Sequence, residues 1–200
     1  MLTPPRTQES RREATRSALV AAARRLFVRR GYAATGTPEL VAEAAVTRGA
    51  LYHHFEDKSD LLMAVAADMA SEVAEAVAAS TPPGLRPLQA LQAGSRAYFA
   101  AMAEGGRARV LLVDAPAVLS PAQLTLLSEA AGAGELRHGL KACLRPGSKV
   151  PLDELTSLLS AAFDRAARAV AEGEDPGRWT SAMDLLLGAL AADVASRQGR

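Results

Sequence analysis

Apolar residues recur at three- and four-residue intervals along most of the chain, the period of a helix with one buried face. From Ser10 onward, Ala18, Leu19, Ala22, Ala23, Leu26 and Phe27 share such a face, the arginines fall largely on the others, and Gly31 after Arg30 marks a stop. Thr37-Pro38 reads as an N-cap followed by proline at the start of a second helix, which runs to about Ala44. Ala45-Val46 is a very short connection. Thr47 is a good N-cap for a third helix with Leu51, Tyr52 and Phe55 on its inner side. Two short helices so joined have the outline of a helix-turn-helix.

Asp57, with Asp60 three residues on, approximates a capping box for a fourth helix that reaches about Ser80 and is ended by Thr81-Pro82-Pro83-Gly84. Further helices are expected at residues 88–104, at 107–113 ahead of Asp114-Ala115-Pro116, and from Ser120 towards Leu144, where Gly132 and Gly134 weaken the middle. Residues 1–9 read as a polar arm and 145–148 as a loop. Residues 152–172 and 177–197 give two more helices. Leu152, Leu155, Leu158, Leu159, Ala162 and Phe163 mark the apolar face of the first, and Met183, Leu186, Leu187, Leu190 and Val194 that of the second. Faces this broad call for burial by a partner as well as by the chain's own core.

Composition agrees with an all-helical chain. Ala and Leu dominate a hydrophobic fraction of 49%, and aromatics make up only 4%. The net charge of +1 conceals an asymmetry: residues 1–30 hold eight arginines against Glu9 and Glu13, a net +6, which leaves −5 for the remainder. A nucleic-acid or membrane contact at the basic end and a solvated helix face both account for it. Cys143 stands alone, so no intrachain disulfide forms and a reducing cytoplasmic setting fits. The Arg-rich N-terminus does not read as a signal peptide. Residues 61–79 come nearest to the roughly 20 apolar residues of a membrane span, but Asp68, Glu72 and Glu75 interrupt them, so no membrane association is expected.

One segment is more specific. It runs from Thr35-Gly36-Thr37-Pro38 through Thr47-Arg48-Gly49-Ala50-Leu51-Tyr52-His53-His54-Phe55 to Lys58, preceded by Ala21-Ala22-Ala23-Arg24-Arg25-Leu26-Phe27 and Gly31-Tyr32. It resembles the TetR (tetracycline-repressor-like, AcrR-type) family of transcriptional regulators over roughly residues 12–72. Residues 109–119 look like the helix 6 region of some members. The resemblance implies an all-α protein of about nine helices. Residues 12–72 would form a homeodomain-like DNA-binding head, with its helix-turn-helix at 36–55. Residues 73–200 would bind an effector and dimerise through the helices near 152–172 and 177–197. The implied function is a repressor that binds a palindromic double-stranded operator as a homodimer and is released by a small molecule.

The residues suit that role. Leu51 and Phe55 supply the core side of the recognition helix, leaving Thr47, Arg48, Ala50 and His53 for the major groove. Gly49 permits close approach, and Arg48 can pair bidentately with guanine O6 and N7. Thr35, Thr37 and Thr47, with backbone N–H groups at the starts of the second and third helices, can donate to phosphates. Tyr52 and Lys58 stand where the family typically holds phosphates. Ala45 replaces the family's turn glycine and Val41 its small alanine. Because a non-glycine residue at positive φ is strained by about 1–3 kcal/mol, a slightly rearranged turn is expected.

Other candidates have bland alternatives. His53 and His54 point about 100° apart on a helix, which favours DNA contact or simple surface exposure over metal. His138 reads as a helix-surface histidine and Cys143 as a small buried hydrophobe. Arg12 and Arg16 are either solvated or on phosphates. Tyr98, Phe99, Met102, Leu112, Phe163 and Trp179 either line a ligand cavity or are plain core. No catalytic motif, metal site or cofactor motif is present, so the chain is not expected to be an enzyme. The rival readings are a helical protein–protein adaptor and an enzyme acting in the body. For the latter, Asp114, Glu129, Glu135, Asp164 and His138 are scattered.

Overall fold

The computed structural model describes residues 8–144 and 148–196, and these are helical without strands. The elements are α1 (Gln8–Arg30), α2 (Thr37–Glu43), α3 (Arg48–His54), α4 (Lys58–Ser80), α5 (Pro87–Ala103), α6 (Arg107–Arg109), α7 (Ala115–Val118), α8 (Pro121–Ala130), α9 (Ala133–Cys143), α10 (Leu152–Ala171) and α11 (Pro176–Ser196). A π-helical segment, Val110–Asp114, joins α6 to α7. Most of the arm expected at residues 1–9 and of the loop at 145–148 lies outside the described residues, as does the side chain of Val194.

Local signals set most boundaries. Gly31 ends α1 in the left-handed region at φ +85°, its N–H donating to the Phe27 carbonyl at 2.8 Å. Thr47 Oγ1 accepts from Ala50 N–H at 3.1 Å to cap α3, and Asp57 Oδ1 accepts from Asp60 N–H at 2.8 Å to cap α4. Two expectations need correction. The N-cap of α2 is Gly36, not Thr37. Thr37 and Pro38 form the first turn, and Glu39 reaches back to accept the Gly36 N–H at 3.1 Å. The single helix expected from Ser120 to Leu144 is two, α8 and α9, broken where Gly132 takes φ +112°.

The third correction is the most consequential. The helix starting at Arg107 was expected to stop ahead of Pro116, yet it continues to Val118. Proline has no N–H, so Pro116 cannot donate to the carbonyl of Leu112. The chain answers by widening. Ala115 N–H bonds five residues back, to Val110, a π turn. Arg168 of α10 supplies the missing donor, its guanidinium bonding the Leu112 carbonyl.

Two hydrophobic cores result. The first is built from Leu19, Ala23, Leu26 and Phe27 of α1, Leu40 of α2, Leu51 and Phe55, and Leu61 to Ala70 of α4. The second gathers Phe99 and Met102 of α5, Leu140 of α9, Leu159, Phe163 and Ala166 of α10, and Met183 and Leu187 of α11. α4 enters both, through Ala70 on one side and Val73 on the other. The π segment also enters both, Val110 packing in the first core and Leu112 in the second.

Glu72 marks this junction. It accepts from both Arg24 of α1, at 2.7 Å through Nη2, and Arg107 of α6, at 2.8 Å. The Arg24 hydrogen bond is the main reason its pKa falls from 4.5 to about 2, with Arg107 adding to the effect against the cost of burial. The folded value lies below the unfolded one. The stabilisation is therefore complete above about pH 4.5 and disappears as pH falls towards 2. Glu72→Gln is expected to lower unfolding free energy at pH 7 by about 1–2 kcal/mol, a figure reduced for solvent screening of a partly exposed group. Urea melts of both proteins from pH 7 to pH 3 would check it, since the gap should shrink on acidification.

Candidate nucleic-acid interface and ligand cavity

α3 stands on the first core by its inner side, where Leu51 and Phe55 are buried. Arg48, Gly49, Tyr52 and His53 occupy the opposite arc and are exposed, with Thr47 exposed at its start and Ala50 half-buried at the edge. Tyr52, placed on the inner side by the apolar pattern, is instead 46% exposed. It lies with Arg48 in a cation–π contact, 5.5 Å from guanidinium carbon to ring centre. Hydrogen bonding with the Thr37 hydroxyl, then with Arg48, holds its phenol below the usual value. A flat cationic side chain, a small gap at Gly49 and an imidazole are thus presented together. This is suited to reading base edges.

Some residues of the motif face inward. Thr35 is buried and its hydroxyl donates to the Gly31 carbonyl at 2.8 Å, so it offers nothing to a phosphate. Lys58 is half-buried, and its Nζ donates to the carbonyls of Tyr32 and Thr35, both at 3.0 Å, while sitting 3.9 Å from the Tyr32 ring centre. These contacts tie the loop between α1 and α2 to the start of α4. The basic character of α1 is also partly internal. Arg24, Arg25 and Arg30 pair with Glu72, Glu43 and Glu39, and Arg16 lies over the Phe55 ring. His54 packs towards α1, where burial, followed by His53, Arg12 and Arg16, pushes its pKa down.

The turn keeps its left-handed residue. Ala45 has φ +53°, so the expected rearrangement does not occur and the alanine bears the strain itself. The Val46 N–H still bonds the Val41 carbonyl at 3.0 Å, closing α2 as the turn requires.

The body holds a cavity of about 1150 Å³ among α4, α5, α7, α8, α9 and α10. Tyr98, Met102, Leu112 and Phe163 line it, among the residues singled out from the sequence. Phe99 and Trp179 do not. Phe99 packs behind Tyr98 and Phe163 in the core, with ring centres at 6.1 and 5.7 Å. Trp179 stands on α11 with its indole N–H on Glu174 and Arg165 over its ring. Asp164, Glu135 and His138, which read as scattered titratable groups in the sequence, also border the cavity, as do Ser95, Pro116 and Arg168, which the sequence did not mark for it.

The cavity wall continues into the head. Leu112, Pro116 and Arg168 border it, and the same π segment carries Asp114, which accepts the Tyr32 N–H at 3.2 Å. Arg109 donates to the Arg30 carbonyl at 3.3 Å. Leu112 on the cavity wall thus lies two residues from Asp114, which holds the chain just past the end of α1. Among the described residues, no cluster of three His, Cys, Asp or Glu could hold a metal ion, and no helix is long and apolar enough to cross a membrane.

Comparison with known proteins addresses both parts of the chain. Residues 19–65 match a family model described as bacterial regulatory proteins, tetR family, and residues 88–192 match one described as tetracyclin repressor-like, C-terminal domain. The HTH-type transcriptional repressor Rv1474c of Mycobacterium tuberculosis is 29% identical over 183 residues, 91% of this chain and 96% of that protein. A solved TetR-family transcriptional regulator from Pectobacterium atrosepticum is 33% identical, with a TM-score of 0.70 over 92% of this chain and 97% of its own. RolR, solved in complex with resorcinol, is 26% identical, with a TM-score of 0.64 over 95% of this chain and 97% of its own. The transposon Tn10 TetC protein of Escherichia coli and the HTH-type transcriptional regulator TtgR of Pseudomonas putida are 46% and 43% identical over 57 and 60 residues, so that the chain spans only 29% and 28% of their lengths.

Replacing the strained turn residue tests the geometry. Ala45→Gly is expected to raise the unfolding free energy by about 1 kcal/mol, because glycine reaches positive φ without steric cost. Thermal and denaturant melts would measure it. An unchanged or lower stability would mean that Ala45 is not strained.

Proposed function

Because the chain belongs to the TetR family of bacterial regulatory proteins, we propose that it is a ligand-responsive transcriptional repressor, which binds a palindromic operator as a homodimer and leaves it when a small molecule fills the body cavity. The observation that carries the reading is the exposed arc of Arg48, Gly49, Tyr52 and His53, set opposite the buried Leu51 of α3. In this reading residues 12–72 form the DNA-binding head and 73–200 the sensing and pairing body. Thr47, Arg48, Gly49, Ala50 and His53 face the groove. Thr37 and Tyr52 hold the backbone, and Thr35 and Lys58 act by shaping the loop behind them.

A second copy of the chain accounts for the remaining surface. Leu158 of α10 is 70% exposed, and Leu185 and Leu186 of α11 are 75% and 42% exposed. Large aliphatic side chains grouped on the outer faces of two long helices are expected to be covered, and a two-fold axis between these helices would form a four-helix bundle. Two heads on one operator then multiply the few base pairs that one α3 can read.

Release follows from a population shift. A ligand in the cavity touches the wall at Leu112, Pro116 and Arg168, and the π segment passes the change to Tyr32 and α1 while α4 carries it lengthwise. That RolR was solved in complex with the ligand resorcinol supports a small organic effector here.

In vitro selection of bound DNA is expected to return a palindrome. On that site Arg48→Ala should cost about 1–3 kcal/mol of binding and relax preference at one base pair per half-site. Recovery of no preferred sequence would refute the operator reading. Leu158→Glu combined with Leu185→Glu is expected to convert the dimer to monomers in sedimentation, and to abolish operator binding at concentrations where the wild type binds.

A further inference from the structure

Resting on the reading of α3 as the helix that enters the groove, we infer that Tyr52 is a positioning residue for base recognition: its ring holds the Arg48 guanidinium on the groove-facing side of α3, so that Tyr52 governs base preference as well as affinity. Arg48 is the first residue of α3, and Tyr52 follows four residues later, the spacing that sets two side chains one above the other on a helix. Both are exposed, and the guanidinium carbon lies 5.5 Å from the ring centre.

The nature of this partner matters. Arg24, Arg25 and Arg30 of α1 are each paired with a carboxylate, Glu72, Glu43 and Glu39 in turn. Arg48 has no carboxylate partner among the described residues; it has the Tyr52 ring. A carboxylate would neutralise the guanidinium, occupy its N–H fork and have to be displaced before a base could bind. A ring face attracts the cation without consuming its in-plane N–H donors, and the phenol oxygen engages only part of the fork. Charge and donors stay available for guanine O6 and N7.

Tyr52 is itself anchored. Its hydroxyl is hydrogen-bonded to the Thr37 side chain in the first turn of α2, ahead of its contact with Arg48. One phenol thus links the two helices of the motif and restrains the arginine. A free arginine side chain would lose its rotamer freedom only on meeting DNA, at a cost to binding; a guanidinium already held against a ring has lost part of that freedom beforehand. Gly49 leaves the space beside the pair open. A tyrosine that only held a phosphate would act through its hydroxyl, and its loss would weaken every sequence alike. A tyrosine that positions Arg48 acts through its ring, and loss of the ring relaxes the choice of base.

The test uses the full chain, its selected operator and the set of single-base-pair variants of that operator, with binding followed by fluorescence anisotropy. Tyr52→Phe is expected to weaken all of these sites by a similar several-fold factor and to keep the discrimination, roughly 10-fold, at the base pair that Arg48→Ala relaxes. Tyr52→Leu should reduce that discrimination to about 2-fold or less, and should add nothing at that base pair when combined with Arg48→Ala. A second readout needs no DNA. The Arg48 Hδ resonances should lie upfield, under the ring current, in the wild type and in Tyr52→Phe, and move downfield in Tyr52→Leu. Tyr52→Gln is a second ringless variant should Tyr52→Leu not fold. A uniform loss of affinity in the ringless variants, with base preference unchanged, would overturn the positioning role and leave the operator reading in place. An Arg48 Hδ signal that does not respond to loss of the ring, or equal relaxation by Tyr52→Phe, would do the same. A preference untouched by Arg48→Ala would refute the groove role of Arg48 and this proposal with it. Recovery of no preferred sequence would refute the operator reading on which both rest.

Discussion

One helix serves two hydrophobic cores. α4 is 23 residues long, about 35 Å at the rise of an α-helix, and its residues from Leu61 to Ala70 close one core while Val73 enters the other. Cores are packed at crystalline density and do not deform continuously. The head therefore cannot turn relative to the body unless α4 tilts or one core repacks. A small displacement at either end becomes a choice between discrete arrangements, which is the property a regulator needs.

Around that rod the head and body meet both through Val110, Ala115, Leu119 and Leu127, buried in the head core, and through polar contacts. Glu72 holds Arg24 and Arg107, and Asp114 and Arg109 hold the backbone at the end of α1. Such contacts at partly exposed positions contribute modestly and can be exchanged at low cost, unlike the buried leucines on either side. The seam between head and body thus combines a fixed apolar part with a polar part that can be exchanged. The cavity opens on the body side of that seam, at Leu112, Pro116 and Arg168.

The elements legible in the sequence are those set by local rules. Gly31 stops α1, Thr47 and Asp57 cap α3 and α4, and the spacing of Leu51 and Phe55 fixes which side of α3 is buried. What the sequence hid depends on partners far along the chain. Pro116 reads as a helix terminator until Arg168 is seen to replace the donor it lacks. Three arginines of α1 look like free positive charge until Glu39, Glu43 and Glu72 fold against them. Thr35 and Lys58 look like phosphate ligands because they belong to the motif, yet the bare carbonyls of Gly31, Tyr32 and Thr35 claim them first. The sequence offered Tyr98, Phe99, Phe163 and Trp179 as cavity wall or plain core; Tyr98 and Phe163 border the cavity, while Phe99 and Trp179 do not. It could not tell a cavity wall from the layer behind it.

The π turn between α6 and α7 means that this stretch holds one residue more than a regular helix of the same path would need. Winding the same residues as a regular α-helix would instead rotate everything beyond the segment by about 100°, one residue's turn, relative to what precedes it. Val110 and Ala115, which both reach the head core, could then no longer do so from one strip of helix. The wide turn, imposed by Pro116 and completed by Arg168, is what keeps cavity and head in phase.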